Sequence, residues 1–141
     1  VWSRFEGFVP DHRASFNREF HRLAKHQGWG KEERRHFRVE LFDADFAAHI
    51  GSEIFNLDHW KMLCRLCSIA PIPNDIPGCM EALDNVLVNI YDLLDHHRTG
   101  APIEPFKNFA EFRCYTLNGH VYPIEEAKED TFLPIFLKEL K

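Results

Sequence analysis

The chain has 141 residues, of which 45% are hydrophobic, enough for one ordinary core but too few for two. Its formal net charge of −5 disfavours a mainly electrostatic grip on nucleic acid. No apolar run approaches the ~20 residues that span a bilayer, and no apolar segment of a secretion signal follows the first residues. We therefore expect one domain, residues 1–141, with no membrane partner. The chain opens on Val1 rather than Met, which favours a domain of a longer protein.

Residues 1–14 are predicted to form an extended arm packed on a helical bundle. Their aromatic residues lack helical spacing, and Gly7 and Pro10 interrupt the segment.

Ser15 is typical of an N-cap, and it predicts a first helix that ends near Gln27-Gly28. Trp29 follows directly. We expect Trp29 to close the corner between the first and second helices, with its indole N–H reaching a carbonyl oxygen.

The second predicted helix runs from Lys31 to Ile50 and is ended by Gly51. The third runs from Leu57 to Cys67, capped by Asn56 or Asp58, and places Trp60 on its apolar face. Prolines then force an extended connection.

The longest helical pattern runs from Ile76 to Gly100, with apolar residues spaced three and four apart. It predicts one central helix from Ile76 to His97, about 22 residues or about 33 Å long and stopped by Gly100, around which the bundle packs. A bend near Asp84-Asn85 is the alternative. Asn89 lies on this apolar helix and must find partners if buried, so we expect it to anchor a loop backbone, with residues 101–106 as the first candidate.

Two further helices complete the prediction. Asn108 caps a short helix that turns Phe109, Phe112 and Tyr115 inward, and a last helix covers Thr131 to Leu140. The fold class predicted is all-α: a single-domain bundle of about six helices with an extended N-terminal arm and Pro-rich connections.

A series of different short motifs is distributed along nearly the whole chain. They are Phe8-Val9-Pro10-Asp11, Glu19-Phe20-His21-Arg22-Leu23, Gly28-Trp29, Trp60 to Cys64, Val88 to Leu93, Arg98-Thr99-Gly100, Tyr115-Thr116 and Tyr122-Pro123. In this order they resemble a small helical domain that is widespread and uncharacterised in filamentous fungi. The resemblance implies an intracellular fungal protein, located in the nucleus or the cytoplasm, and it implies no activity or catalytic residue.

Four cysteines are present, at positions 64, 67, 79 and 114. Cys64-x-x-Cys67, together with Cys79 and His59, is a candidate zinc site, because zinc takes four tetrahedral sulfur or nitrogen ligands. The cysteines lie at apolar helix positions, however, whereas structural zinc ligands usually come from turns. We therefore favour reduced, buried thiols for all four and expect no metal and no cofactor.

The end of the long helix carries His96, His97 and Arg98, with Asp92 one turn before His96. This group is a candidate acid/base site, but no nucleophile accompanies it. Stabilisation of the helix end by positive charge is the preferred interpretation.

A basic segment lies between residues 18 and 38. Its members are Arg18, Arg22, Lys25, Lys31, Arg34, Arg35 and Arg38. Such a face is usually solvated surface, and it is also the natural contact for phosphates.

Three functions follow in order of preference. The first is a non-catalytic protein-interaction module of a larger intracellular fungal protein, with another protein as partner. The second is a nucleic-acid-binding helical domain that uses the basic segment. The third is an enzyme that uses His96 or Cys64. The oligomeric state and the partner's identity are left open.

Overall fold

The computed structural model describes residues 2–140 and is all-helical over that range, where no strand forms. The predicted all-α fold class is confirmed. Six α-helices follow one another along the chain: α1 (Phe16–Gln27), α2 (Lys31–Ile50), α3 (Leu57–Leu66), α4 (Ile76–Asp84), α5 (Ile90–Thr99) and α6 (Phe109–Leu117).

The chain divides into two compact units. The first comprises Val1–Gly51 and Leu94–Ala101, and the second comprises Ser52–Leu93 and Pro102–Lys141. The single domain expected from the chain length stays a prediction.

The first unit is built on α1 and α2, whose predicted bounds are confirmed. Ser15 Oγ accepts the Arg18 N–H at 3.2 Å and so caps α1. Gly28 ends α1 with a φ of 69°, a left-handed conformation that suits glycine. Trp29 forms the corner as predicted: its ring stacks on Phe37 with 4.2 Å between ring centroids. The bond that ties this corner uses the Trp29 carbonyl, which accepts from Arg34 Nε at 3.0 Å.

The N-terminal arm is not wholly extended. Trp2–Arg4 form a turn of 3-10 helix, and further turns follow before Ser15. Trp2 and Phe8 are buried, so the arm is packed down through its aromatic side chains. Val1 lies outside the described residues.

The second unit contains the packed pair α3 and α4. Asn56 caps α3 with its side-chain oxygen, and Asp75 caps α4 in the same way. Pro77 lies in the first turn of α4, where its missing N–H costs little. The interior of the unit includes Trp60, Leu63, Leu83 and Phe132, all of which are buried.

The prediction of a single long helix from Ile76 to His97 is wrong. Helix α4 ends at Asp84, residues 85–89 are not helical, and α5 begins at Ile90. Asn85 Nδ2 donates to the Glu81 carbonyl at 3.1 Å, and Asn89 Oδ1 accepts the Tyr91 N–H at 2.8 Å. Asn85 thus helps to close α4 and Asn89 caps α5, so the break is more complete than a bend at Asp84-Asn85.

The last predicted helix is also wrong. Within residues 131–140 only Leu133–Phe136 are helical, as one 3-10 turn. The turn is closed by the Leu137 N–H, which donates to the Pro134 carbonyl at 3.3 Å, and the backbone is extended at Leu137, so the helix does not continue. Residues 2–140 contain six α-helices, close to the number expected, only because the split of the central helix makes up for this loss. Phe109 of α6, predicted to face inward, is exposed.

Candidate functional site

Phe55 is held in solvent by a short turn before α3. Its side chain is 89% exposed, an extreme value for a phenylalanine. The Asn56 N–H donates to the Glu53 carbonyl at 3.0 Å, which closes the turn. The indole N–H of Trp60 donates to the Ile54 carbonyl at 2.7 Å. Phe55 is therefore exposed because the hydrogen-bonded turn that carries it holds its side chain in solvent.

An apolar cavity of about 370 Å³ opens beside Phe55. This volume falls within the range of about 300–1,000 Å³ that is common for binding pockets. Met80, at its edge, is 41% exposed. The lining consists of apolar side chains with two carboxylates and one hydroxyl: Ile54, Phe55, Trp60, Ile76, Met80, Asp84, Glu129, Thr131, Pro134 and Ile135.

A second cavity of about 710 Å³ adjoins the first and shares Ile54 and Phe55 with it. Its other described lining residues are Ser52, Glu53, Asn56 and Asp130. We call the two cavities, with the Phe55 side chain that lines both, the Phe55 groove. The groove consists of residues 52–56, 60, 76, 80, 84, 129–131 and 134–135.

The Phe55 groove is negatively charged. Its described residues include four carboxylates and no basic side chain: Glu53, Asp84, Glu129 and Asp130. Lys138 Nζ lies 3.4 Å from Asp84 Oδ1 and partly offsets that charge. Among residues 2–140, Glu53, Glu129 and Asp130 have no cationic partner within 4.0 Å.

The sequence pattern did not indicate the groove, because residues 52–55 lie between the second and third predicted helices and belong to neither. The available signal was Ile54-Phe55, two large apolar residues in a segment that belongs to no helix face. Trp60 was placed on the buried face of its helix, and it is 3% exposed there. Its second use, holding the turn through its indole N–H, depends on a tertiary contact that helical spacing does not reveal.

Helices α3 and α4 also bury three thiols. Cys64, Cys67 and Cys79 are free and buried, as predicted, whereas Cys114 is exposed, contrary to the prediction. Burial, with smaller contributions from the neighbouring thiols, raises the pKa of Cys64 from 9.0 to about 12, and burial raises that of Cys67 to about 11. Within residues 2–140 no group of three or more histidine, cysteine or acidic side chains is placed to hold a metal ion.

Asn89 is 3% exposed and all its polar atoms are engaged. Its Nδ2 donates to Thr116 Oγ1 at 3.1 Å and to the His120 carbonyl at 3.0 Å. It does bind a loop backbone, but at His120 after α6 rather than in residues 101–106. That earlier segment is bonded elsewhere, through the Phe106 N–H to the Leu87 carbonyl at 2.9 Å.

Asp92, considered above as part of an acid/base group, accepts from the Tyr115 hydroxyl at 2.5 Å. Burial raises its pKa, while the hydrogen bond from Tyr115 acts in the opposite direction. His96 Nδ1 lies 2.7 Å from the Ala101 carbonyl, just past the end of α5. The structure therefore engages Asp92 and His96 with separate partners, and the arrangement fits the helix-end interpretation of His96.

Arg98 forms a buried network in the first unit. Its side chain donates to Asp45 Oδ2 at 2.6 Å, to the Ala14 carbonyl at 2.7 Å and to the Asp11 carbonyl at 3.0 Å. Its guanidinium also lies 5.3 Å from the centre of the Trp2 ring. Arg98 thus fixes the N-terminal arm at several points, a role that its position at a helix end did not suggest.

The seven basic residues between 18 and 38 do not form one free surface. Arg22 is bonded to Glu19 and to the Val9 carbonyl, and Arg38 donates to Asn17 Oδ1 at 2.5 Å. Arg34 holds the Trp29 corner. The exposed remainder is Arg18, Lys25, Lys31 and Arg35. Burial, with the charges of Arg38 and Arg34, lowers the pKa of the nearby His21.

A further cavity of about 720 Å³ is lined by Asn89 and Ile90 at the start of α5, by residues of α6 and by the segments that follow α6. Its charged lining residues are of both signs: Arg113, Lys138, Glu125 and Glu139. Arg113 Nε donates to the Leu140 carbonyl at 2.5 Å, and Lys138 Nζ donates to the Asp84 carbonyl at 2.7 Å. Because its cations already have partners within the chain, this cavity has a weaker claim to a ligand than the Phe55 groove.

In comparisons with known proteins, no family model, curated protein or solved structure matches this chain. The resemblance to a fungal domain therefore stays an expectation. Within residues 2–140, no helix has both the length and the apolar character required to cross a membrane.

Proposed function

We propose that this chain is a non-catalytic protein-interaction module, part of a larger intracellular fungal protein, and that the Phe55 groove is its binding surface. The observation that carries the proposal is the 89% exposure of Phe55 between cavities that no other described side chain fills. An exposed aromatic ring beside a preformed apolar cavity is the arrangement that protein interfaces cover.

The rigidity of the groove supports this proposal. The turn is closed by its own hydrogen bonds and by Trp60, and the cavity lies against the packed pair α3 and α4. Binding to a preformed surface costs less conformational entropy than binding to a surface that must first become ordered.

The buried thiols support the non-catalytic part of the proposal. A nucleophilic cysteine needs a lowered pKa and access to substrate, whereas Cys64 and Cys67 are buried and have raised pKa values. Their environment favours packing over reaction.

The nucleic-acid alternative would use the exposed members of the basic segment: Arg18, Lys25, Lys31 and Arg35. Arg22 is paired with the Glu19 carboxylate, and internal hydrogen bonds occupy donor groups of Arg22, Arg34 and Arg38, so fewer donors are available for phosphates. We rank it second, and the following experiment distinguishes it from the first.

The proposal is tested by immobilising the 141-residue chain and identifying what it retains from a fungal lysate, with and without nuclease. The variant Phe55→Ser removes the exposed ring. The matched control is Val9→Ser, since Val9 is also an exposed apolar residue, 77% exposed, and lies in the first unit. We expect proteins that the original chain and the control retain and that Phe55→Ser loses, whether or not nuclease is present.

Retention that is equal for all three chains would overturn the assignment of the groove. Retention that disappears with nuclease, and with charge removal at Lys25 and Arg35, would favour the nucleic-acid alternative.

A further inference from the structure

We infer that the Phe55 groove recognises a basic peptide segment that carries one large apolar side chain. This inference rests on the proposed function and narrows it to a class of partner. The two parts of the groove carry different chemistry, and the partner's composition follows from each part in turn.

The smaller cavity accepts the apolar side chain. Trp60, Ile76 and Ile135 contribute to its walls, and Phe55 and the half-exposed Met80 lie at its open side. An apolar side chain that enters this cavity is removed from water, and that burial favours the complex. Methionine adapts its shape to different side chains, so the cavity suits leucine, isoleucine or phenylalanine rather than one strictly defined residue.

The larger cavity favours a positively charged side chain of the partner. Glu53 and Asp130 line it, and Glu129 lines the neighbouring apolar cavity. These three carboxylates have no cationic partner among residues 2–140, so a lysine or arginine gains an ion pair without displacing an existing one. Because both cavities share Phe55, the basic and apolar residues belong to one continuous segment of the partner.

The same charges act against other partners. Phosphates of a nucleic acid or of an anionic membrane would meet four carboxylates in the groove and be repelled. An acidic peptide would be rejected for the same reason. A second copy of this chain offers exposed Arg18, Lys25 and Arg35, but these lie on α1 and α2, whose large apolar side chains are mostly packed inside the first unit.

The test is a selection of random peptides displayed on phage against the full chain, followed by binding measurements with the selected peptides in fluorescein-labelled form. We expect enrichment of lysine and arginine around a single large apolar residue. Charge reversal at Glu129→Lys with Asp130→Lys is expected to weaken binding about tenfold, and higher salt is expected to weaken it as well. The matched control is Glu32→Lys with Glu33→Lys, an adjacent pair of exposed acids on α2.

The outcomes separate this inference from the proposed function. If Phe55→Ser abolishes partner binding while the Glu129/Asp130 reversal leaves it unchanged, the groove is an interaction site and the basic class of partner is wrong. Enrichment of neutral or acidic peptides would also overturn the inference. Analytical sedimentation tests a second copy of the chain as the occupant. If the chain forms concentration-dependent dimers that Phe55→Ser dissociates, the groove binds another copy of the chain and the inference of a basic peptide is wrong. A selection that yields no Phe55-dependent peptide counts against the inference, and the lysate experiment then decides the proposed function.

Discussion

Arg98 and Phe55 are both unusual in their burial, and in opposite ways: the charged side chain is buried and the apolar one is exposed. Arg98 is a cation that is 5% exposed, whereas Phe55 is an apolar ring that is 89% exposed. Arg98 has a carboxylate and two carbonyls as partners, so its burial serves the stability of the first unit. Phe55 lies beside open cavities, so its exposure contributes little to folding. We therefore assign stability to the first region and binding to the second.

The largest expected effect is on the buried side of this comparison. Arg98→Ala removes the guanidinium from buried Asp45, which then has only the His49 ring nitrogen at 3.5 Å as a basic neighbour among the described residues, and it releases the carbonyls of Asp11 and Ala14. We expect the free energy of unfolding to fall by about 3–5 kcal/mol. Urea denaturation followed by circular dichroism measures this loss. The control Arg35→Ala removes an exposed arginine and should change stability by less than about 0.5 kcal/mol.

A combined variant sharpens the result. Arg98→Met with Asp45→Leu removes both charges and should recover part of the loss, because no carboxylate is then left unpaired. If Arg98→Ala costs less than about 1 kcal/mol, the network is not the support of the arm that its geometry indicates.

Asn89 is a buried polar residue in the second unit, the unit that also contains Phe55. It tests whether a buried polar side chain matters for stability in that unit as Arg98 does in the first. Asn89→Leu removes the cap of α5 and the bonds to Thr116 and His120. The expected loss is about 2 kcal/mol, measured as a lower melting temperature. Asn74→Leu, at an exposed position, is the control. Unchanged thermal stability in Asn89→Leu would show that the amide anchors nothing.

Two buried thiols, Cys64 in α3 and Cys67 directly after it, predict that stability depends on pH, with a smaller effect than that of Asn89→Leu. The folded-state pKa values of Cys64 and Cys67, about 12 and about 11, lie above the ordinary 9.0, so the unfolded chain loses these protons first. The stability that these two thiols contribute is therefore fully present below pH 9.0, and it is lost as the pH rises from 9.0 through about 11 and 12. We expect the free energy of unfolding to fall by an amount on the order of 1 kcal/mol in the lower part of this pH range.

The measurement is urea denaturation at a series of alkaline pH values. Cys67→Ala should flatten the decline, and Cys114→Ala, which alters an exposed thiol, should leave it unchanged. An equal slope in both variants would mean that other groups cause the alkaline loss.

Local signals in the sequence predicted the elements that local physics determines. Ser15 and Gly28 gave the bounds of α1, and Gly51 gave the end of α2, because caps act on their own turn. The interruption at 85–89 was considered only as an alternative bend near Asp84-Asn85, and its full extent was not predicted, since it depends on Asn89 reaching Thr116 and His120 across a long stretch of chain. The apolar spacing alone continues through the break.

The candidate site was less predictable than the fold. Helical periodicity assigns faces only to residues in helices, and Phe55 lies in a turn. Trp60 holds the turn that exposes it, and residues of the 129–135 segment complete the cavity beside it, so these neighbours come together only in the folded unit. The ion pair of Arg98 with Asp45 escaped for a related reason, because its partners are 53 residues apart in the sequence.

The smallest expected effect on stability belongs to Phe55 itself, and it separates the two regions most directly. A ring that is 89% exposed removes little apolar area from water on folding, so Phe55→Ser should change the free energy of unfolding by less than about 0.5 kcal/mol. Trp60→Phe keeps most of the buried ring but removes the indole donor to Ile54, and should cost about 1 kcal/mol. Both values come from urea denaturation at neutral pH. If Phe55→Ser is as costly as Trp60→Phe, the ring is packed in solution and the groove is closed in the free protein. If Phe55→Ser is neutral for folding and still removes a partner, the exposed ring serves binding alone.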